Sequence, residues 1–301
     1  MTNLEMSSSG KSEELRVIFS GSFEDVVENA HVVIPEGLEE IAENAFRDFS
    51  CLETVKLPRS LKRISACAFA GCQNLRSVEI PFGVKEILDE AFSSCPALCE
   101  IIIPDSCERL GEGCFEGCAS LTRVKLSESI SMIGASAFAF CFNLTHIEIP
   151  DSCILLEFCA FSMCFSLESV KLSANMGLID ESTFEGCRSL KEVDLPTKLV
   201  KIGRRAFKGC TSLSSIILPV GTMSIGFDAF ADCTSLKRIA LPKELFELED
   251  DDVFGGCDAL SDISFGGTRE AWESLTHGKT LTVQKSDTTL ATPKVSFMNL
   301  K

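Results

Sequence analysis

The sequence has little of what many binding and catalytic sites depend on. It contains no tyrosine, one tryptophan and three histidines, and its 28 lysines and arginines are outnumbered by 44 aspartates and glutamates. The formal charge of -16 repels a phosphate backbone and an anionic bilayer, which argues against nucleic-acid or membrane-surface partners. Because only His31, His146 and His277 are present, histidine-based metal centres have few candidate ligands.

Long apolar runs are missing as well. No stretch approaches the roughly 18 consecutive apolar residues that a membrane-spanning helix needs, so we expect no membrane insertion. Residues 1–15 are polar and lack the apolar core of a secretory signal. We therefore expect a cytoplasmic protein, with the cell surface or secretion as the alternative if another route exports it.

Phenylalanine, in contrast, recurs at a fixed interval. Ten phenylalanines follow one another every 23 residues, with a last interval of 24, and Phe23 lies 23 residues before the first of them. They are Phe46, Phe69, Phe92, Phe115, Phe138, Phe161, Phe184, Phe207, Phe230 and Phe254. A period of this length is typical of solenoids, in which each repeat is one coil stacked on the previous coil. The sequence thus predicts about eleven coils.

One repeat predicts the shape of a coil. Between Phe69 and Phe92, residues 78–80 alternate apolar, polar and apolar, which favours a half-buried strand, and Pro81 ends that strand because proline lacks a backbone donor. A short helical turn is predicted just before Phe92. The same pattern in every coil predicts a β-solenoid, a leucine-rich-repeat array, with one in-register parallel sheet and short helical turns.

Cysteine is abundant, and it follows the period. Nine of the sixteen cysteines come three residues after a repeat phenylalanine: Cys72, Cys95, Cys118, Cys141, Cys164, Cys187, Cys210, Cys233 and Cys257. At about 5 Å between coils disulfides are sterically possible, but a continuous ladder cannot pair neatly. We expect buried free thiols, which act as small apolar side chains and suit a reducing compartment. Zinc is disfavoured because the Cys-x3-Cys spacings at 95–99 and 114–118 lack a matching second pair.

The ends of the chain depart from the period and predict three segments. Residues 1–22 are expected to form an N-terminal tail and cap, with a capping strand over 15–19. Residues 23–265 form the solenoid. Residues 266–301 form a C-terminal cap with a helix over Arg269–Leu275 and closing strands over 281–283 and 295–297, because a stack of coils needs covered ends.

These residues resemble the BspA-type leucine-rich repeat family, whose coils follow L-x-x-I-x-I/L-P-x-x-V-x-x-I-G-x-x-A-F-x-x-C. Residues 213–219 (LSSIILP) and 225–233 (IGFDAFADC) match this pattern closely. The resemblance covers about residues 23–265, and residues 265–275 look like the closing segment of bacterial members. It implies protein binding through the repeats, including adhesion to extracellular-matrix proteins, co-aggregation and host contact.

The outer face of the predicted sheet offers the best candidate site. In each strand the residues on either side of the inward side chain point to solvent. Over the middle coils they form a mixed-charge strip: Glu100, Ile102, Arg123, Lys125, His146, Glu148, Lys171, Glu192 and Asp194. Two interpretations stand side by side. Lysine–carboxylate pairs across strands, such as Lys125 with Glu148, keep a sheet soluble, whereas the same strip can recognise a partner.

Catalytic and metal sites receive less support. Glu148, Glu192 and Asp194 are the only carboxylates that suggest a glycosidase-like cluster, and no phosphate-binding loop or nucleophile–base set is visible. The acidic run over 247–252 coincides with the 24-residue interval and suggests calcium, but it lacks the glycine-punctuated spacing of a dedicated loop. We expect no enzyme activity, no cofactor and no metal.

The sequence therefore predicts a monomeric protein-interaction module that binds unidentified protein partners through its rigid solenoid face. A surface adhesin or host-directed effector is one alternative. A carbohydrate-binding or carbohydrate-cleaving solenoid is another.

Overall fold

Ten stacked coils, each built around one repeat phenylalanine, make up the body of the protein. The computed structural model describes residues 17–18, 30–249, 252–278, 280, 283–285 and 290–297. Phe23 and the eleventh coil expected around it lie outside the described residues. Each coil contributes a long strand, a short strand and a turn around the phenylalanine, and neighbouring coils pair with an offset of 23 residues.

The long strands follow the predicted alternation, with an inward side chain between two outward ones. They are His31–Val33, Thr54–Lys56, Ser77–Glu79, Glu100–Ile102, Arg123–Lys125, His146–Glu148, Ser169–Lys171, Glu192–Asp194, Ser215–Ile217, Arg238–Leu241 and Asp262–Phe265. All pair in parallel and in register, as predicted. We call this the long-strand sheet. Its hydrogen bonding is divided into four groups of strands rather than running unbroken.

A second parallel sheet, which was not predicted, runs along another side of the coils. Its strands have two residues each: Val17–Ile18, Glu40–Ile41, Arg63–Ile64, Glu86–Ile87, Arg109–Leu110, Met132–Ile133, Leu155–Leu156, Leu178–Ile179, Lys201–Ile202, Ser224–Ile225 and Glu247–Leu248. We call this the short-strand sheet, and its hydrogen bonding is divided into groups of seven and four strands. The expectation of a single sheet was wrong because two residues are too few to show an alternating pattern.

The segment around each phenylalanine is a chain of turns rather than the short helix that the sequence suggested. Around Phe69, the backbone N–H groups of Cys67, Phe69 and Gly71 donate to carbonyls of the following coil, at 2.7–2.9 Å. The N–H groups between them, of Ala68 and Ala70, donate three residues back. Three of these five donors therefore hold adjacent coils together, whereas an α-helix would use them within the coil.

Two residues of nine of these turns have positive φ, one two positions before the phenylalanine and one two positions after it, whereas among the described residues of the turn around Phe254 only the second does. The second position is glycine in five coils: Gly71, Gly117, Gly186, Gly209 and Gly256. Other coils place a residue with a side chain there, at φ between 56 and 60°. Positive φ favours glycine because it has no Cβ, so the side chains at this position are held in a strained backbone conformation.

The core is a stack of like side chains on like. Consecutive rings from Phe46 to Phe254 lie 5.0–5.9 Å apart between centroids and within 18° of parallel. Alanine precedes the phenylalanine in many coils, as at Ala68, Ala91 and Ala137, and these alanines are fully buried. A small residue is needed there because the next coil packs directly above it.

The repeat cysteines form a second column in the core. Each thiol donates to the carbonyl of the phenylalanine one coil earlier, with Sγ···O distances of 3.0–3.4 Å. Burial raises the pKa of Cys118 and of Cys164 to about 12, so both thiols stay protonated and keep this hydrogen bond at neutral pH. All sixteen cysteines lie within the described residues, and none forms a disulfide.

The C-terminal end is covered by the helix that the sequence predicted. This helix, α1, spans Arg269–Leu275 and begins after Thr268, whose side chain accepts a hydrogen bond from the N–H of Ala271 at 3.2 Å. Its Trp272 is buried, with its ring 5.5 Å from that of Phe265. The aromatic pair thus covers the last coil of the core.

Strands continue beyond α1 and at the N-terminal end. Lys294–Phe297 pairs in parallel with Asp262–Phe265, and Val283–Gln284 pairs with Leu290–Ala291 in the antiparallel sense. The predicted strand over 295–297 is confirmed, and Val283 belongs to a strand, whereas 281–282 lie outside the described residues. Of the predicted capping strand over 15–19, Val17–Ile18 is present and pairs with Glu40–Ile41. The other three residues lie outside the described part.

Removing one ring from the stack should create a cavity that the fixed coil spacing cannot close. We expect Phe138→Ala to lower the free energy of unfolding by about 3–5 kcal/mol in urea melts. Phe138 is fully buried between Phe115 and Phe161, with both centroid distances 5.4 Å. The matched control is Phe82→Ala, since Phe82 is 77% exposed. A loss below about 1 kcal/mol for Phe138→Ala would contradict a core role for this column.

Thiol titration should separate the cysteines into two classes. We expect four to react with a thiol reagent in the native protein, Cys51, Cys67, Cys99 and Cys159, and the other twelve only after denaturation without reductant, because they are buried. Cys67 and Cys159 should react slowly, and faster as the pH rises. Partial burial raises the pKa of both thiols, with the charges of Glu90 and Glu185, respectively, adding to the effect. Finding six or more cysteines bridged would overturn the expectation of free thiols.

Candidate interaction surface

The nine predicted site residues lie side by side on the outer face of the long-strand sheet. Glu100, Ile102, Arg123, Lys125, His146, Glu148, Lys171, Glu192 and Asp194 are all exposed. They form four sets of residues that pair in register across strands, for example Glu100 with Arg123 and Lys171 with Asp194. The strand alternation therefore placed each of them on the correct side of the sheet. Whether they bind a partner stays a prediction.

Some of these side chains contact one another across strands. Arg123 forms a salt bridge with Glu100, with an N–O distance of 3.3 Å. His146 shares a hydrogen bond of 2.8 Å between its Nδ1 and the hydroxyl of Ser169, and its Nε2 lies 3.5 Å from a carboxylate oxygen of Glu148. These contacts fix the imidazole ring on the sheet, in the same way that His31 is joined to Thr54 at 2.7 Å.

The expected lysine–carboxylate pairs do not form. Lys56 lies opposite Glu79, and Lys171 lies opposite both Glu148 and Asp194, but none of these pairs is within salt-bridge distance in the described chain. Lys125 and Glu148 fall on strands from two separate hydrogen-bonded groups. The register fixes the distance between the backbones of two strands, but the end of a flexible lysine side chain can still point into water. The charge pattern alone therefore predicted too many ion pairs.

Apart from Arg123 with Glu100, the lysine and arginine ion pairs on this side of the solenoid lie in the column of residues just before the long strands. Lys191 pairs with Glu168 at 2.9 Å, and Arg76 lies 3.9 Å from Glu53. All four residues immediately precede a long strand. They occupy the edge of the sheet and leave the lysines of the strands themselves available.

The three carboxylates that suggested hydrolysis lie in the open. Glu148 and Asp194 are separated by Lys171, which pairs in register with both, and Glu192 lies two residues from Asp194 on the same strand. All three are exposed. A glycosidase acid needs surroundings that keep one carboxyl protonated, and exposed carboxylates beside a lysine lack such surroundings.

Metal ligands are likewise not brought together. Over the residues that the structure describes, no group of three or more histidine, cysteine, aspartate or glutamate side chains is placed to hold a metal ion. In the acidic run suggested for calcium, Glu249 pairs with Lys201 at 2.9 Å and accepts from the N–H of Phe227 at 3.2 Å. The Lys201 contact lowers the pKa of Glu249. Asp250 and Asp251 of that run lie outside the described residues.

Two apolar surface features were missed at the sequence level. One is an apolar stripe beside the short-strand sheet: Ile154, Val200, Met223 and Phe246 are exposed at equivalent positions of four coils, with Gly177 at this position between the first two. In earlier coils this position carries charge, and Lys85 forms a 2.8 Å salt bridge with Glu108 there. Following this one column along the repeat would have revealed the change from charged to apolar.

The other feature is a cluster of aromatic rings at the edge of the long-strand sheet. Phe142 and Phe165 stack at 5.0 Å, and Phe140 meets Phe142 edge-on at 6.2 Å. The guanidinium of Arg188 lies 4.5 Å from the centre of the Phe165 ring. Comparing coils position by position could have revealed this cluster too, because other coils carry small or polar residues such as Ser50 at the position of Phe142.

In the described part of the chain, no helix has the length and apolar character that crossing a membrane requires.

Solved structures that resemble this chain include bacterial leucine-rich repeat proteins. A leucine-rich repeat protein from Bacteroides ovatus is 26% identical, with a TM-score of 0.52, over 94% of this chain and 88% of its own. A leucine-rich repeat protein from T. pallidum is 31% identical, with a TM-score of 0.47, over 62% of this chain and 78% of its own. A leucine-rich cell surface protein from Faecalibacterium prausnitzii is 23% identical, with a TM-score of 0.43, over 82% of this chain and 90% of its own.

Among curated proteins, none matches this sequence significantly. The family comparison is decisive, because the model of the BspA type leucine-rich repeat region matches six times, over residues 2–95, 39–168 and 154–277. These ranges cover most of the chain and include every coil described above. Together with the stacked 23-residue coils, they show that the chain belongs to the BspA type leucine-rich repeat family.

Proposed function

We propose that this protein is an interaction module that binds a protein partner on the outer face of its long-strand sheet, over the strands from Glu100–Ile102 to Glu192–Asp194. Backbone hydrogen bonds between coils hold these strands in place before any partner arrives. Binding to a preformed surface loses little conformational entropy, so more of the contact energy is available for affinity.

The observation that carries this proposal is the set of unpaired lysines on the face. Lys125 and Lys171 are exposed, and neither has a carboxylate within salt-bridge distance in the described chain, although the protein carries a net charge of -16. Ile102, which pairs in register with Lys125, is 50% exposed. Charges and apolar area left without intramolecular partners on a rigid sheet are what a complementary protein surface can bind.

The cysteine content favours a reducing compartment over export. Free thiols in this number are typical of intracellular proteins, since disulfides form in oxidising surroundings. A module acting inside the cell is therefore preferred to an exported adhesin or host-directed effector, and cell fractionation distinguishes the two. The carbohydrate-binding or carbohydrate-cleaving alternative is not favoured by any enclosed carboxylate site in the described residues, and a glycan array tests it directly.

Reversing the two lysines should abolish partner capture. We expect Lys125→Glu with Lys171→Glu to reduce the recovery of the specific partner about tenfold or more in affinity capture followed by mass spectrometry, because like charges then oppose one another at the contact. The fold should be unaffected, since both side chains are exposed and form no ion pair with any described residue.

The matched control is Lys62→Glu with Lys198→Glu, which makes the same change in net charge on exposed side chains away from the long-strand sheet. A protein captured by the wild type and by this control, but lost with the face variant, supports the proposal. Identical captures by all three proteins would show that the face is not the binding surface.

A further inference from the structure

An aromatic cluster lies directly beside the proposed binding face. We define the aromatic patch as Phe140, Phe142, Met163 and Phe165 together with Arg188, from three consecutive coils. Phe140 and Phe142 are 41% and 37% exposed, and Met163 and Phe165 are half-buried. The rings contact one another in stacked and edge-on geometry, and the guanidinium of Arg188 lies over Phe165.

Phe140 occupies a backbone position that strongly disfavours it. Its φ is 59°; five other coils place glycine at the equivalent position, and the remaining four place aspartate, serine or methionine there, at φ 56–60°. A bulky residue in this conformation is strained, and such strain is found mainly where function requires it. Burial does not compensate, because the ring is substantially exposed. An exposed phenylalanine therefore occupies a position where glycine would fit the backbone better. This points to a role for the ring in contact with another molecule.

Arg188 supplies the one unmatched charge of the patch. Its side chain is exposed, and in the described chain it has no carboxylate within salt-bridge distance. The nearest basic residue along the chain, Lys191, is already paired with Glu168 at 2.9 Å. A guanidinium held over an aromatic ring is orientated to bind a carboxylate from a partner in a planar, two-bond geometry.

The patch adjoins the proposed face along the chain. Phe142 precedes His146 by four residues, and Phe165 precedes Ser169 by four, so each ring lies in the turn that leads into a strand of the face. Aromatic and arginine side chains are the residues that most often dominate binding energy at protein interfaces. The patch therefore has both the position and the composition of an anchor for whatever lies on the face.

We propose that the aromatic patch is the anchoring site for the protein partner of the long-strand sheet, and that it takes an apolar side chain of that partner next to an acidic residue. The apolar side chain contacts Phe140 and Phe142, and the acidic residue pairs with Arg188. This inference rests on the proposed function, since it places the patch within the same binding surface. The partner segment is acidic at this point because the guanidinium of Arg188 is exposed, is held over the Phe165 ring and has no carboxylate within salt-bridge distance among the described residues.

The test is selection of phage-displayed random peptides of about 16 residues on the full-length protein, with the affinities of enriched peptides measured by fluorescence polarisation. We expect enriched sequences to carry an aromatic or large aliphatic residue close to aspartate or glutamate. Phe140→Gly should weaken their binding at least about tenfold, and Arg188→Gln should weaken it for the acidic peptides.

Phe140→Gly separates binding from folding. Glycine already occupies this position in five coils, so the unfolding midpoint should be no lower than that of the wild type. The matched control is Asp232→Gly, which makes the same backbone change at the same position of a remote coil, at φ 60°, and should leave peptide affinity unchanged.

Each other outcome overturns the inference. The inference fails if no peptides are enriched, if basic peptides are enriched, or if the enriched peptides bind Phe140→Gly as tightly as the wild type. Concentration-dependent self-association that Phe140→Gly abolishes would make a second copy of this chain the occupant instead. Peptides that ignore Phe140→Gly but are lost with Lys125→Glu and Lys171→Glu would overturn the patch alone and leave the proposed function standing. Peptides that ignore both variants would count against both.

Discussion

Hydrogen bonding between successive coils is the constraint on which the rest of the structure depends. Every coil must offer its neighbour the same donors and acceptors at the same height, so the coils keep nearly the same length, 23 residues except for one interval of 24, and the same backbone path. The long-strand sheet, the short-strand sheet and the phenylalanine turns are three parts of that one requirement. The positive φ values flanking each phenylalanine follow from it too, since they turn alternate N–H groups towards the next coil.

A fixed coil spacing decides which side chains can fill the interior. Flat rings stack at 5.0–5.9 Å with no adjustment of the backbone, so phenylalanine repeats at one position. Cysteine suits the neighbouring position because it is small and its S–H donates to the phenylalanine carbonyl of the preceding coil. Valine would have similar size but no donor, and serine would be more polar. The cysteine column is thus explained by packing and hydrogen bonding, without any redox or metal chemistry.

Periodicity predicted what every coil has in common, and it failed where coils differ or where the signal is short. It predicted the solenoid, the inward side chains of the long strands, the phenylalanine core and the exposure of residues such as Lys171. It missed the short-strand sheet because two residues such as Glu86–Ile87 carry no alternation. It predicted a helical turn because the local pattern does not reveal that donors such as the N–H of Phe69 are used between coils. It also predicted ion pairs that flexible lysines do not form, because register fixes backbones and not side-chain ends.

The same constraint indicates where specificity can arise in such a protein. Positions that face the next coil are restricted to a few residue types, so a partner can be distinguished only by the outward columns and by departures from the consensus of those columns. A departure from the consensus that strains the fold is stronger evidence of a binding site than a departure that leaves the stability of the fold unchanged. Phe140 is of the first kind, since the stack would be less strained with glycine there, whereas Phe82 is merely an exposed side chain in a permissive turn. In a repeat array, an exposed aromatic ring at a strained backbone position is therefore a better guide to a binding site than the charge pattern of the regular face.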